Sequence, residues 1–324
     1  MIKEYLFNQQ NLPIIFSPAL LKNATSNKLY EWIQKSKGYI FNKLYSHGSI
    51  LFRDFTLRDV HDFQKCLDAF GLDFCDYKGG DSPRDKVSRS LYTSTSYPSS
   101  YDISMHNEKS FSNDWPTLIF FFCDEEPLTG GETPLLDGRK LYSSLDKSIL
   151  NRFSTKKLKY VMNLHNGDGI GKSWKECFET TDKRSIEKFL TSIGASFLWK
   201  DDESLRIEEI VNPVIYHPVT KDVVFFSQAD QWHYSNLDIK TYQSMLTIMS
   251  PEDFYHNCYY ADNTSLNIDD LNHIRNIQTT ESISFPWKKG DLLMVDNILT
   301  LHGRKAFTGN RRILVSLSKY IYYS

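Results

Sequence analysis

The chain of 324 residues is 40% hydrophobic and 24% charged with a net charge of −2, the composition of a soluble globular protein that buries a core. That near-neutral balance argues against a nucleic-acid footprint. The longest apolar stretch, residues 118–123 (LIFFFC), is far too short to cross a bilayer.

The first residues, MIKEYLFNQQNLP, contain neither an apolar signal region nor a small-residue cleavage site, so no secretory leader is expected. The five cysteines, Cys66, Cys75, Cys123, Cys177 and Cys258, are scattered without a CxxC. This predicts reduced thiols in a cytoplasmic protein and argues against a disulfide framework, a zinc ribbon or an iron–sulfur cluster. Aromatic residues are 14% of the chain, which favours β structure because flat side chains pack well on a pleated surface.

Taken in chain order, the N-terminal part reads as helices. Ser26-Asn27 is placed to cap a helix over residues 29–46 (LYEWIQKSKGYIFNKLYS), in which Leu29, Trp32 and Ile33 recur at helical spacing. Residues 57–70 repeat that pattern, with Val60, Phe63, Leu67 and Phe70 on one face and Gly71 as the stop. Between the two, residues 48–55 (GSILFRDF) are short, apolar and strand-like. From Ile103 the signal changes. Residues 118–123, 223–226 (VVFF) and 292–295 (LLMV) are continuous apolar runs of strand length, as expected where both faces of a strand are buried. Residues 184–193 read as a helix, and residues 312–320 (RILVSLSKY) alternate as a strand.

No repeat or Pro/Gly/Ser linker divides the chain, so a single domain over 1–324 is expected. Its predicted parts are an N-terminal helical and strand segment (1–85), a ligand-bearing segment (86–145), a helical insertion (146–215) and C-terminal barrel strands (216–324). Strands at both ends of a helical insertion predict a β-rich α+β fold, a double-stranded β-helix or jelly roll with flanking and inserted helices. A doubly wound parallel fold is disfavoured, because strict strand–helix alternation and a Gly-rich first turn are both missing.

The chemistry begins at His106-Asn107-Glu108. On a strand, positions i and i+2 share a face, so the imidazole and the carboxylate can meet one ion. With nine His and 40 acidic residues in 324, about one such pair arises by chance, and the pair alone carries little weight. Three downstream features, in a fixed order, add that weight. Residues 130–134 (GGETP) form a two-glycine turn whose Thr133 hydroxyl can donate to an anion. His302 closes a strand and is a natural third ligand; two His and one carboxylate make the facial set of non-haem Fe(II) oxygenases. Arg311-Arg312 opens the next strand and offers a planar clamp for a carboxylate remote from the metal. Arg312 shares its face with Leu314 and Ser316, and Arg311 with Ile313 and Val315, so alternation alone does not choose between the two arginines.

These residues resemble the TauD/TfdA-type dioxygenases, especially their SyrP-like branch. The strongest stretch is residues 90–145, with the order HNE, WP, FFxC, GGETP and D-x-R. Weaker matches continue at 173–182, 216–228, 286–297 and 302–317. The resemblance implies iron(II) held by His106, Glu108 and His302, and 2-oxoglutarate bound through Thr133 and Arg312, with Arg311 the second choice. It also implies O₂ as co-reactant and release of succinate and CO₂. The implied reaction is hydroxylation of an unactivated C–H bond in a small amino-acid-like substrate, free or on a peptidyl carrier protein, in a biosynthetic pathway. Desaturation or cyclisation with the same ligands, and a non-catalytic metal-binding barrel, are the alternatives. A family halogenase has Gly or Ala where Glu108 stands here, so halogen transfer is disfavoured. Trp115, Ser227 and Gln228 are the expected pocket residues, with a plain core role the open alternative; His233 is a further candidate, and Asp296 and Asn297 are expected either to support the ligands or to cap the strand end. Relatives often carry WFNQ where this chain reads Phe225-Phe226-Ser227-Gln228, which implies different substrate contacts.

Overall fold

Continuous apolar runs form strands here because both faces of the sheet they join are covered. In the computed structural model, which describes residues 2–7, 11–75, 86–88, 91–95 and 97–319, the run at 118–123 lies in a strand spanning Leu118–Glu125. It pairs antiparallel with Leu292–Asp296 on one side and Arg312–Ser318 on the other. Leu118, Phe120 and Phe122 enter one core with Met294 and Leu314, whereas Ile119, Phe121 and Cys123 enter another with Val295, Ile313 and Val315. A period of two divides each apolar run between two cores.

These three strands are the middle of a nine-stranded sheet. Ser49–Phe52, Ile14–Pro18 and Ile2–Leu6 extend it beyond Leu292–Asp296, and Leu91–Thr93 and Lys86–Ser88 extend it beyond Arg312–Ser318. The helices Ser26–Lys35, Lys37–His47 and Val60–Phe70 cover its outer face through Leu29, Ile33, Phe41, Leu44, Phe63 and Phe70. The first helix departs from expectation at both ends. Thr25, not Ser26 or Asn27, is its cap, its hydroxyl accepting from the Lys28 N–H. The helix stops at Ser36, whose non-helical backbone starts a second helix where one continuous helix was expected. Asp59 caps the third helix and Gly71, at φ 64°, ends it.

A three-stranded sheet, with Thr300–Arg304 between Leu135–Asp137 and Ile103–His106, faces the inner side of the large one. The ring of Phe121 packs on that of His302 at 5.3 Å and links the two. The segment 146–215, expected to be helical, is mixed. Besides the helices Lys147–Lys156, Trp174–Phe178 and Lys183–Ser192 it contains Leu158–Leu164, Ser196–Trp199 and Leu205–Val211, strands of a four-stranded sheet completed by His256–Tyr260. LRIEEIV alternates buried and more exposed residues, and LKYVMNL carries part-exposed Lys159 and Asn163 on either side of a buried centre, weaker signatures than a continuous apolar run. The fold is β-rich α+β. The expected boundary between 85 and 86 borders residues 76–85, which lie outside the described residues. Among the described residues no helix is long and apolar enough to cross a membrane.

Candidate metal centre

Sheet register brings the two histidines together. His106 ends the strand Ile103–His106, His302 lies within Thr300–Arg304, and the two are direct cross-strand partners. Their rings are 4.5 Å apart. The His106 Nδ1 lies 2.8 Å from the Ser104 carbonyl oxygen, so Nδ1 carries the proton and donates, leaving the Nε2 lone pair for a metal. Glu108 stands just beyond the end of the strand, in a turn. Its Oε2 is 4.0 Å from His106 Nε2 and 3.9 Å from His302 Nε2. All three residues are buried, and one ligand atom from each lies within 4.8 Å of the others. Among the described residues this is the only His/Cys/Asp/Glu group so arranged. Two imidazoles and one carboxylate, converging from one side, are the donor set that suits divalent iron and leaves positions open, so the residues present fit that ion.

Thr133 and Arg311 line a small cavity, about 40 Å³, with His106, Phe121 and His302. The Thr133 hydroxyl accepts from the Trp287 indole N–H at 3.2 Å, which leaves its own proton to donate. The Arg311 side chain donates from Nε to the Gly131 carbonyl at 2.9 Å and from a terminal nitrogen to Ser94 Oγ at 3.2 Å. Burial first, and the neighbouring Arg304 second, pull its pKa down to about 10. Among the described residues no carboxylate is within ion-pair distance of Arg311, so this half-buried cation has room for an anionic ligand.

Gly131 lets Arg311 come so close, and Gly130 lets the turn pack on Ala306. Gly130 and Gly131 have φ values of 69° and 70°. A Cβ on Gly130 would lie 2.1 Å from the Ala306 carbonyl oxygen, and one on Gly131 would lie 3.0 Å from Arg311 Cδ.

The expectation that Arg312 turns toward this cavity is corrected. Its side chain is 44% exposed and pairs with Asp124 at 2.6 Å, outside the site. Ile313, Val315 and Leu317 face the inner core shared with Phe121, and Arg311, one residue before the strand, is the arginine that lines the cavity.

A larger cavity, about 500 Å³, adjoins the small one, sharing Thr95 and Ile103 with it. It is walled by Tyr97, Lys172, Gln231, Trp232, Asn236 and His256. None of the three expected pocket residues lines either cavity. Trp115 packs on Phe226, Ser227 bonds Tyr160, and Gln228 bonds Ser110 and Gln231. His233 caps the following turn, its pKa pulled down to about 4 by burial and by Arg275. Trp115, Ser227 and Gln228 take the core role that the sequence left open, while Gln231 and Trp232, between Gln228 and His233, line the larger cavity.

Asp296 and Asn297 stand behind the site. Asp296 accepts from His217 Nε2 at 3.0 Å and from the Ile298 and Leu299 N–H groups. The Asn297 carboxamide oxygen accepts from the Glu108 N–H at 2.7 Å, and its nitrogen donates to the Glu108 carbonyl at 3.0 Å.

Residues 19–317 match the profile of the family described as "Taurine catabolism dioxygenase TauD, TfdA family". The chain is 30% identical over 277 residues to the dapdiamide synthesis protein DdaC of Enterobacter agglomerans, covering 86% of this chain and 84% of DdaC. It is 28% identical over 324 residues to the clavaminate synthase-like protein At3g21360 of Arabidopsis thaliana, covering 97% and 95%. Its fold resembles that of an asparagine oxygenase solved with Fe(II), 2S,3S-3-hydroxyasparagine and succinate, with a TM-score of 0.55, 12% identity, and coverage of 92% of this chain and 83% of that one.

Proposed function

The chain belongs to the TauD/TfdA dioxygenase family and is an iron(II)- and 2-oxoglutarate-dependent dioxygenase, and from that premise we propose that His106, Glu108 and His302 hold the iron while Thr133 and Arg311 hold the 2-oxoglutarate. The observation that carries this reading is the buried convergence of two imidazoles and one carboxylate beside a half-buried arginine that lines the same cavity. The nine-stranded and three-stranded sheets are the two walls of a double-stranded β-helix, a reading supported by the Phe121–His302 contact between them and by the fold likeness. The order HNE, WP, GGETP supports the SyrP-like branch.

When bound, iron(II) with 2-oxoglutarate and O₂ supplies the oxidation of a C–H bond, with succinate and CO₂ as by-products. The chain's own residues hold and orient. The Ser104 carbonyl keeps His106 in the tautomer that presents Nε2. Thr133 donates its hydroxyl proton to a cosubstrate oxygen. The Arg311 guanidinium meets the far carboxylate, as a planar fork can. Phe121 and the apolar core behind it exclude water from the iron side.

The substrate is a small amino-acid-like molecule seated in the larger cavity and hydroxylated there. DdaC's role in dapdiamide synthesis and the hydroxyasparagine bound to the asparagine oxygenase support that class. Anaerobic addition of Fe(II) and 2-oxoglutarate should give a weak visible charge-transfer band. Bound iron without a band would overturn the assignment of the ligands. A mass-spectrometric screen of amino acids, free and carrier-linked, should then find a gain of one oxygen.

A further inference from the structure

The two histidine ligands are fixed by the ladder between their strands, but Glu108 is not. It lies past the end of Ile103–His106, in a turn whose next residue, Lys109, has φ 57°. No strand pairing sets its position, yet its carboxylate must meet two imidazoles held elsewhere.

Asn297 supplies what the ladder does not. It is fully buried, and every polar group it owns is bonded to the segment that carries Glu108. Its backbone N–H donates to the Thr117 carbonyl at 2.9 Å, and its backbone carbonyl accepts from Asn107 Nδ2 at 2.6 Å. Its side chain takes the Glu108 N–H on the oxygen and gives its two protons to the carbonyls of Glu108 and Pro116, at 3.0 and 2.7 Å. The direction of the carboxamide is therefore not a matter of choice. Backbone N–H groups only donate and carbonyls only accept, so exchanging oxygen and nitrogen would break all three side-chain bonds. Asn297 is in turn anchored by position, one residue past the strand Leu292–Asp296 that Leu118–Glu125 pairs.

We propose that Asn297 is the positioning residue of the carboxylate ligand: it clamps the Glu108 backbone from both sides and so sets where the carboxylate stands relative to His106 and His302. The inference rests on the ligand assignment above and adds that the clamp acts on metal binding through Glu108 alone. Buried groups behind a ligand typically alter metal affinity by about 10–100-fold when removed.

The test is a double-mutant cycle read by Co(II) titration, following the visible absorption of the bound ion in the absence of 2-oxoglutarate. Asn297→Ser should weaken Co(II) binding by about 10–100-fold in the otherwise native chain. In a Glu108→Ala background, where the carboxylate is gone, the same substitution should change affinity by less than about threefold. In the metal-free protein, hydrogen exchange at the Glu108 amide should speed up in Asn297→Ser. Equal losses in both backgrounds, or no loss in either, overturn the proposal. If Asn297→Ser melts below the assay temperature, Asn297→Asp, which keeps the acceptor for the Glu108 N–H, is read in its place. Melting of both variants makes Asn297 a folding residue and overturns the proposal too. Failure of the native chain to bind Co(II) would instead remove the ligand assignment, a distinct outcome.

Discussion

The imidazole half of the proposed metal centre and its carboxylate half are held by different physics. His106 and His302 are cross-strand partners, so backbone ladder bonds shared with neighbouring residues set their separation. The Glu108 backbone is held by a side chain reaching across from the turn after Leu292–Asp296. A ladder spreads its precision over many bonds and tolerates local change, whereas a clamp concentrates it in one residue. The site is therefore robust on one side and brittle on the other.

The largest way to test that division is to remove a ladder-held ligand. His302→Ala should reduce succinate formation to background while the far-ultraviolet circular dichroism stays native; persisting 2-oxoglutarate turnover would reject the assignment. Next is the cosubstrate side, where two adjacent arginines separate the readings. Arg311→Ala should raise the KM for 2-oxoglutarate by about 10–100-fold, the worth of hydrogen bonds to a charged group. Arg312→Ala removes an exposed ion pair and should change it by less than about fivefold. Asn297→Ser falls in the same range as Arg311→Ala but shows it in metal affinity.

Away from the site, Phe122 is fully buried and stacked on Phe63 at 5.2 Å. Phe122→Ala should cost about 3–5 kcal/mol in urea unfolding and leave the Co(II) affinity of the folded protein unchanged. The smallest effect concerns acid. The pKa of His233 is depressed to about 4, so the stability it contributes is present above its ordinary value near 6.5 and is lost as pH falls toward 4. Asp230, raised to about 6 by burial, acts in the opposite sense over part of that window. His233→Gln should flatten the fall in melting temperature between pH 6.5 and 4, without altering the site's metal affinity.

Legibility in the sequence divides along the same physical lines. The central strands were legible because burial on both faces writes a continuous apolar run, and Leu118–Glu125 and Leu292–Asp296 formed where 118–123 and 292–295 predicted. The inserted sheet was missed, because LKYVMNL and LRIEEIV carry polar residues on a partly exposed face. The arginine choice failed for a related reason. Leu314, Ser316 and Ser318 are as buried on the outer face, under the N-terminal helices, as Ile313, Val315 and Leu317 are on the inner one. Alternation gives parity but does not say which face looks at the metal. The larger cavity was only half legible. Gln231 and Trp232 lie on the short helix Ala229–Trp232, where neighbouring side chains diverge, so naming the segment does not name the residues that face inward.

That the carboxylate stands in a turn has one more consequence. A change at Glu108 need not disturb any strand pairing, because the residue lies past the end of Ile103–His106, so the proposed carboxylate ligand can be exchanged while the paired strands stay intact. Architecture and proposed chemistry are thereby separable: the sheets are set by strand pairing and the carboxylate by a turn.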